Sequence, residues 1–406
     1  MTLLTVALLV TLAGTARAAP GKEVKGIDIS GIDVTDHLEK LSESRYPKEE
    51  NQANRDSVRD YIADRMQYYG LHVEQQKFNT TVNKDEKGIT SEQIQVEGTN
   101  VIGIQRAVTK SPGGVIVVGA DYDSNGVSDP MFRNGAGLAA LLEVARLYTV
   151  NEAWSGRYAA NYTTVFVAFD INTKLHQASP GQPGGHFFIR EWLWPFIDHN
   201  VTFFGGAVIL DSIMNVNYND NSQTLSNEFQ NLFPEMQTRV EEGGNKGDFL
   251  AMVSMGNKDD TVKLRDQFSG NYNKARKAER FRLEDMQLRN GMAFDTIVQQ
   301  FVKSENIHFW TFKDENEKTV LLPAILLTDT ATFRTDPAST CASVPCRPKD
   351  LLTEDRIEFV DKTVEATVHF LFSRQATLLP EQPSAASSLQ SSFLTVAMVC
   401  LARLYM

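Results

Sequence analysis

Four short segments of almost entirely apolar residues constrain the fold of this 406-residue chain most strongly. A strand covered by other elements on one face alternates apolar and polar side chains, whereas a strand covered on both faces is apolar throughout. The four segments are of the second kind, and they are residues 115–120, 164–169, 205–210 and 322–327. Because segments of helical periodicity separate them, the pattern predicts an α/β fold. We expect a three-layer α/β/α sandwich with a mixed, largely parallel central sheet.

The rest of the chain was assigned from the same periodicities. Two further strands are predicted at Leu71–Phe78 and Thr99–Gln105, and helices at residues 55–69, 138–147 and 355–372. Residues 215–295 are polar and carry little apolar strand signal, so they are interpreted as a helical insertion. Within them, Lys274–Arg289 alternates charges, which is typical of a solvated helix face.

Composition limits the class of protein. Hydrophobic residues make up 42% of the chain and charged residues 22%, which allows a large core. The formal net charge is −11. Binding to nucleic acid needs clustered Lys and Arg to neutralise phosphates, so this charge argues against a nucleic-acid partner.

Both ends of the chain contain segments typical of the secretory pathway. Residues 1–18 combine a short apolar run with Ala16-Arg17-Ala18, a small-x-small cleavage site, and predict a signal peptide. Residues 19–374 then form a single domain, and residues 375–392 a stalk rich in Ser, Ala and Pro. Residues 393–406 are an apolar tail too short to span a bilayer, which fits a glycolipid (GPI) attachment signal. The alternatives are a buried amino-terminal strand and an amphipathic tail.

Glycosylation and disulfide signals agree with an extracellular or cell-surface location. Sequons begin at Asn79, Asn161 and Asn200. Cys341 and Cys346 are expected to close a small disulfide loop in an oxidising compartment. A zinc site at these two cysteines is less favoured, because two thiols alone cannot complete a tetrahedral shell.

Polar residues follow three of the apolar segments directly. Asp121 and Asp123 follow the first, Asn172 and Thr173 come just after the second, and Asp211 follows the third. The carboxyl ends of parallel strands meet at one edge of a sheet, where α/β folds place their ligand sites. We therefore expect these side chains to converge.

The residues around these strand ends resemble the clan MH di-zinc exopeptidases. That family includes bacterial aminopeptidases, glutamate carboxypeptidase and glutaminyl cyclase, and nicastrin-like proteins share its fold. The resemblance is carried by the run from Gly119 to Ser124, by Asn134-Gly135-Ala136-Gly137, by Ala207–Ser212 and by Leu327–Arg334. It spans roughly residues 50 to 372 and implies the family's α/β/α fold.

The resemblance also implies a catalytic site whose metal ligands are largely replaced. The family holds two zinc ions with two His and three carboxylates, and a Glu acts as general base. Two positions of the family's site are retained, Asp123 and Asp211. Asp121 and Ser339 stand where the family has its two His, and Arg133 stands where it has the bridging carboxylate. Asn172 and Thr173 stand where it has two Glu. The family's Ser-Asp-His motif is degraded to Ser304-Glu305-Asn306.

A fixed positive charge at Arg133 would oppose metal binding. Its guanidinium stays protonated in proteins, and at an effective dielectric of about 20 it would repel a dication by several kcal/mol. Our hypothesis is that Arg133 pairs with Asp121, Asp123 or Asp211 and neutralises acids that zinc once balanced. Asp121 and Asp211 remain as residual candidate ligands, fewer than the three protein ligands of catalytic zinc. No cofactor is expected.

These features predict a secreted or surface-anchored protein that is catalytically inactive and binds a peptide or protein partner. The alternative is an active zinc metallo-aminopeptidase with an atypical metal shell, for which zinc would be required. A third possibility is an adhesion module that uses residues 215–295. His186 and His308 show no metal-type spacing and are interpreted as a loop residue and a packed or surface residue.

Overall fold

The computed structural model describes most of the chain between residues 26 and 378. The described ranges are residues 26–84, 92–108, 113–124, 129–154, 158–172, 181–200, 203–225, 227–256, 259–288, 304–335 and 347–378. Thr173, Ser339, Cys341, Cys346, the predicted signal peptide and the apolar tail lie outside them.

An eight-stranded sheet forms the centre of the molecule, in the order β1-β2-β5-β3-β6-β9-β7-β8. Its strands are β1 (His72–Asn83), β2 (Gln93–Gln105), β3 (Gly114–Asp121), β5 (Tyr162–Phe169), β6 (Phe204–Leu210), β7 (Phe249–Met255), β8 (Arg282–Leu288) and β9 (Ala324–Thr328). The four central strands β5, β3, β6 and β9 are mutually parallel. β2 runs antiparallel to β5, and β7 antiparallel to β9, so the sheet is mixed.

Helices cover both faces of this sheet, which confirms the predicted three-layer α/β/α sandwich. Those with bounds in the described residues are α1 (Thr35–Lys40), α2 (Gln52–Tyr68), α3 (Ala136–Thr149), α4 (Gly184–Phe187), α5 (Trp194–Asn200), α6 (Asn227–Leu232), α7 (Pro234–Glu242), α8 (Asp259–Tyr272), α9 (Asn306–Trp310), α10 (Pro348–Leu351) and α11 (Glu354–Gln375). α2, α3, α8 and α11 pack on one face. α7, α9 and the region around α4 and α5 pack on the other.

The central strands are buried on both sides, as their composition predicted. Alternate residues of β3 enter different cores: Ile116 and Val118 pack with α3 and α11, whereas Val115 and Val117 pack on the opposite face. Every residue of β3 is buried. The apolar character of the strand is therefore explained by its position between two helical layers.

The described part of residues 215–295 contains α6, α7 and α8 but is not a purely helical insertion, which corrects that prediction. These residues contribute β7 and β8 to the central sheet, in parallel register with each other. The apolar run of β7 carried a strand signal that the polar average of the segment concealed. In β8, Glu284 is buried and paired with Arg239, and Met286 and Leu288 are buried. The alternating charges of this stretch therefore belong in part to an edge strand.

The domain extends past the predicted boundary at residue 374. α11 continues to Gln375, whose buried amide donates to Tyr148 and Thr164. The next residues form β10 (Ala376–Leu378), which pairs with β4 (Tyr158–Ala160). The first residues of the predicted stalk are thus part of the folded domain. Within the described ranges, no helix has the length and apolarity required to cross a bilayer.

A buried arginine attaches the segment before α2 to the sheet. The side chain of Arg45 is fully buried and donates to the backbone oxygens of Leu41, Tyr122 and Pro130. Its backbone amide donates to the Ser124 hydroxyl at 2.8 Å. Burial lowers the pKa of Arg45 to about 10, and the nearby charges of Asp123 and Asp129 oppose that shift. These bonds hold the loop after β3 in place.

Candidate functional site

Polar side chains converge at the carboxyl ends of β3, β5 and β6, as the parallel strand order requires. Asp121 ends β3, Asn172 follows β5, and Asp211 follows β6. All three are buried: Asp121 is 2% exposed, Asn172 1% and Asp211 6%. Because adjacent parallel strands end at the same edge of the sheet, the predicted convergence of these three residues is observed.

Asp121 is a buried acid with only one satisfied oxygen. Its Oδ2 accepts a bond from the Asn172 side-chain amide at 3.2 Å, and its Oδ1 has no partner. Burial raises its pKa well above the ordinary value, and the neighbouring carboxyls of Asp211 and Asp123 raise it further. Asn172 and Arg133 oppose that rise. Like charges this close favour protonation of one member of the group.

Asp123 binds the backbone beside this group. Its side chain is fully buried, and its Oδ1 accepts the Asn172 backbone amide at 3.3 Å. Asn172 therefore donates twice, once to each acid of the β3 end. In the family that this sequence resembles, a Glu stands at this position. Here an amide that donates to carboxylates takes its place, so this position offers no carboxylate to bind a metal or accept a proton.

Two serine hydroxyls bind Asp211. Ser212 donates to its Oδ1 at 3.0 Å, and Ser304 donates to its Oδ2 in a short bond. Each of the two Asp211 oxygens therefore accepts a hydrogen bond from a protein hydroxyl. Ser304 lies two residues before α9, so this bond ties the start of that helix to the end of β6.

Arg133 reaches Asp211 through Ser212. Its Nη1 donates to the Ser212 hydroxyl at 3.3 Å, and that hydroxyl in turn donates to Asp211. The adjacent Asn134 fixes this geometry. Its Nδ2 donates to the Leu210 carbonyl at 2.7 Å, and its Oδ1 accepts the Ser212 amide at 2.9 Å.

This geometry corrects the hypothesis of a direct ion pair. Among the described residues, the Arg133 guanidinium forms no ion pair with Asp121, Asp123 or Asp211; its hydrogen bond goes to the Ser212 hydroxyl. Its positive charge nevertheless acts on the group at longer range, because it lowers the pKa of Asp121 and of Asp329. The guanidinium thus partly compensates the negative charge of the group, through the Ser212 hydroxyl and by longer-range electrostatic interaction.

Glu305 is a member of the group that the sequence did not identify. It is 1% exposed and stands one residue before α9. Burial raises its pKa well above the ordinary value, and Asp121, Asp123 and Asp211 raise it further, whereas the Gly185 amide opposes the rise. Its Oε2 is 3.7 Å from His308 Nε2, and within the described residues neither oxygen accepts a side-chain hydrogen bond. Its motif was interpreted as a degraded remnant, which concealed that an acid survives there.

Glycine at position 185 permits this approach. A Cβ on Gly185 would collide with the Glu305 carboxylate, so α4 can approach α9 only without a side chain there. Asn306, the next residue, is fully buried and has both side-chain polar atoms unpartnered. Within the described residues, Asp121 Oδ1 and both side-chain polar atoms of Asn306 have no hydrogen-bond partner, and the Glu305 carboxylate has only the Gly185 amide and His308 beside it. Buried polar groups are normally satisfied, so this concentration is a candidate site for a polar ligand or for water.

The donor set does not fit the zinc pair of the resembling family. Among the described residues, no three or more His, Cys, Asp and Glu side chains are arranged to hold a metal ion. A second argument against a zinc pair comes from the hydrogen-bond donors that already contact these carboxyls. Asn172 donates to Asp121, two serines donate to Asp211, and Arg133 lies behind one of them. Zinc ligands in proteins are imidazoles, thiolates and carboxylates that are free to coordinate.

The motif Leu327–Arg334 serves as a structural frame for this edge. Asp329 accepts the backbone amides of Met214, Asn215 and Ala331, and burial raises its pKa to about 6. Arg334 is buried and donates to the backbone oxygens of Asn215 and Phe249. Both residues hold the loop after β6, which explains why this part of the resemblance is strong although it supplies no ligand.

Some predicted residues are placed and others are not. Asn79 lies exposed on β1, Asn161 is half-buried between β4 and β5, and Asn200 ends α5. Thr173 and Ser339 are outside the described residues, and so are Cys341 and Cys346. Their predicted roles stay predictions.

Comparisons with known proteins show the fold. The aminopeptidase from Aneurinibacillus sp. strain AM-1 superposes with a TM-score of 0.51 at 12% identity, over 89% of this chain and 98% of that chain. The glutaminyl cyclase of Macrostomum lignano gives 0.49 at 12% identity, over 84% and 88%. BSAP, a zinc aminopeptidase from Bacillus subtilis, gives 0.47 at 12% identity, over 87% and 96%. No protein-family model matches the sequence, and no curated protein is similar to it.

Proposed function

We propose that this chain, which has the zinc exopeptidase fold, is a catalytically inactive member of that fold and acts by binding a peptide or protein partner. The observation that carries the proposal is the substitution of protein donors for metal at the strand ends. Asn172 binds Asp121, and the Ser212 hydroxyl links Asp211 to Arg133. A site stabilised in this way needs no metal to balance its carboxyls, and Asn172 and Thr173 stand where the family has its two Glu.

The unpartnered atoms support binding at the same place. Glu305, Asp121 and Asn306 present acceptor oxygens and one amide donor that the described residues leave unsatisfied. The carboxyls of Asp121 and Glu305, with Asp123 and Asp211 beside them, favour a ligand with positive charge and several hydrogen-bond donors. A basic group of a peptide or protein partner has that chemistry.

Hydrolysis and zinc binding test the proposal together. The full-length protein is incubated with aminoacyl-amide substrates with and without added zinc, and bound zinc is measured by elemental analysis after dialysis. We expect no hydrolysis above background and substoichiometric zinc. One zinc or more per chain, with hydrolysis that a chelator abolishes, would establish the alternative of an active zinc metallo-aminopeptidase.

A matched variant tests the electrostatic reason. Arg133→Asp replaces a cation with the carboxylate that the family has at this position. Because opposite charges near a dication act with several kcal/mol at an effective dielectric of about 20, zinc affinity should rise by about tenfold or more. A control on α2, Arg59→Asp at a half-buried position outside the acidic group, should leave it unchanged.

Localisation is a separate part of the proposal. We infer a secretory route to the cell surface from residues 1–18, the three sequons and the apolar tail. The exposure of Asn79 on β1 is compatible with glycan attachment. Release of the protein from intact cells by a phosphatidylinositol-specific phospholipase would support a lipid anchor, and retention after complete digestion would contradict it.

A further inference from the structure

Two histidines without an assigned role are brought together on the helical layer beside the acidic group. His186 lies on α4 and His308 on α9, and their ring centroids are 6.3 Å apart in an edge-to-face arrangement. His308 Nε2 is 3.7 Å from Glu305 Oε2. The two imidazoles thus stand next to the acidic group while belonging to a separate pocket.

The pocket has a volume of about 150 Å³ and a mixed lining. Ile189 and Phe312 supply a buried apolar wall. Arg190, Lys313 and Glu317 are exposed at its rim. A cavity with an apolar wall and a few polar groups is the usual form of a small-ligand site.

Positive charge at the rim is only partly compensated. In the described part of the chain, the Arg190 guanidinium has no hydrogen bond or ion pair with the protein. Its charge instead acts on His186, whose pKa is lowered first by burial and then by Arg190. Lys313 has one partner, Glu317, at 3.5 Å. Arg190 therefore offers a fork of donors that the described protein groups do not use.

A tight turn holds Lys313 and Glu317 at the rim. Asp314 Oδ1 accepts the backbone amides of Asn316 and Lys318, and Val320 donates its amide to the Phe312 carbonyl at 2.8 Å. An isolated bridge pairs Lys313 with Thr319. The Lys313 ammonium therefore extends from a backbone that these bonds constrain, next to Phe312.

We propose that this pocket binds a carboxylate on a short aliphatic stem, the side chain of an Asp or Glu in a peptide or protein partner. The guanidinium of Arg190 and the ammonium of Lys313 would hold the carboxylate, and Ile189 and Phe312 would cover the stem. The pocket volume of about 150 Å³ leaves room for a side chain of this kind. This goes beyond the proposed function, because it requires neither the loss of catalysis nor a ligand in the acidic group.

Binding of four small probes to the full-length protein tests the proposal. The probes are N-acetylglutamate methylamide, its neutral isostere N-acetylglutamine methylamide, N-acetylalanine as a terminal carboxylate, and inorganic phosphate. The imidazole proton signals of His186 and His308 in NMR spectra report occupancy at the site. We expect the acidic side-chain probe to shift both signals saturably and to bind most tightly.

Three exposed variants separate this pocket from general charge attraction. Arg190→Gln should lower the affinity for the acidic probe by about tenfold, which corresponds to the loss of one charge-assisted contact. Glu317→Gln should strengthen it, because it removes the acid that competes for Lys313. Lys318→Gln, an exposed change in the same turn, should leave affinity unchanged.

Several results would overturn the proposal. They are equal binding of the neutral isostere, unchanged affinity in Arg190→Gln, or preferential binding of phosphate or of the terminal carboxylate. None of these results bears on hydrolysis or zinc content, so the proposed function and the pocket fail independently.

Discussion

Two aspartates at the ends of neighbouring strands occupy equivalent places in the fold and have opposite surroundings. Asp170 follows β5 and Asp121 ends β3, and both are almost fully buried. Asp170 accepts from Arg55 at 3.0 Å, from the Thr99 amide at 2.9 Å and from the Ile171 amide at 3.0 Å. Asp121 accepts once, and its nearest charges are other carboxyls.

The difference separates structural from functional polarity within one sheet edge. Burial raises the pKa of both acids, but Arg55 opposes the rise for Asp170, whereas Asp211 and Asp123 add to it for Asp121. Asp170, with one cationic partner and two backbone donors, is compensated and needs no ligand to explain its burial. A buried acid among acids, with an unsatisfied oxygen, lowers stability and is retained at functional sites.

The largest expected effect on stability comes from removing the cation that pairs with Asp170. Arg55→Met leaves Asp170 buried without its cation and should lower the free energy of unfolding by about 3–5 kcal/mol. Chemical denaturation measures it. The control is Arg59→Met, one helical turn away, whose pairs with Asp56 and Asp60 are more exposed and are worth about 1 kcal/mol or less. Equal losses in the two variants would show that the buried pair is not special.

Neutralising the other acid should have the opposite sign. Asp121→Asn removes one charge from a group of like charges and keeps an oxygen for Asn172. We expect the free energy of unfolding at neutral pH to rise by on the order of 1 kcal/mol, the equivalent of about one pKa unit. Asp170→Asn, the matched control, should lower it because Arg55 is left unpaired. A loss of stability in Asp121→Asn would mean that its charge is compensated by a group outside the described residues.

The smallest effect is a change in pH dependence. Asp121 and Glu305 have raised pKa values in the folded state, so the folded protein holds protons that the unfolded chain releases near pH 4. Their contribution is fully present below that pH and is lost as pH rises through the folded pKa values. Asp121→Asn should therefore flatten the decline of stability that the wild type shows as pH rises above about 4.

Other buried acids are common to both proteins and cancel in that comparison. Burial raises the pKa of Asp329 to about 6 and of Asp361 to about 7, so each adds to the same decline in both proteins. Parallel curves for wild type and variant would contradict the assignment of the extra protons to the Asp121 group.

The sequence predicted this edge of the molecule because strand ends are a local signal. Apolar runs located β3, β5 and β6, and parallel order then brought Asp121, Asn172 and Asp211 together. Glu305 could not be found in the same way, since it belongs to no strand end and lies more than ninety residues beyond Asp211 in sequence. Only the packing of α9 against β6 and α4 brings it to the group.

The contacts of Arg133 show a second limit. Its position beside the group followed from the sequence, but its contact with Ser212 depends on Asn134, which clamps the loop to Leu210 and Ser212. Whether a long side chain reaches a carboxylate or stops at a hydroxyl is decided by such backbone placement. β8 was missed for a related reason, because burial of Glu284 against Arg239 lets an edge strand carry charges.

The anchoring of Arg45 has a consequence for how the protein can be shortened. Its guanidinium is bonded to the loop after β3 and to the stretch that leads into α3, so a segment upstream of the first long helix is part of the sheet edge that carries the acidic group. A recombinant version beginning at Pro47 would keep every strand of the sheet yet leave the oxygens of Tyr122 and Pro130 without their donor. Ligand affinity should then decline before secondary structure does, and a binding assay would detect the damage that circular dichroism overlooks.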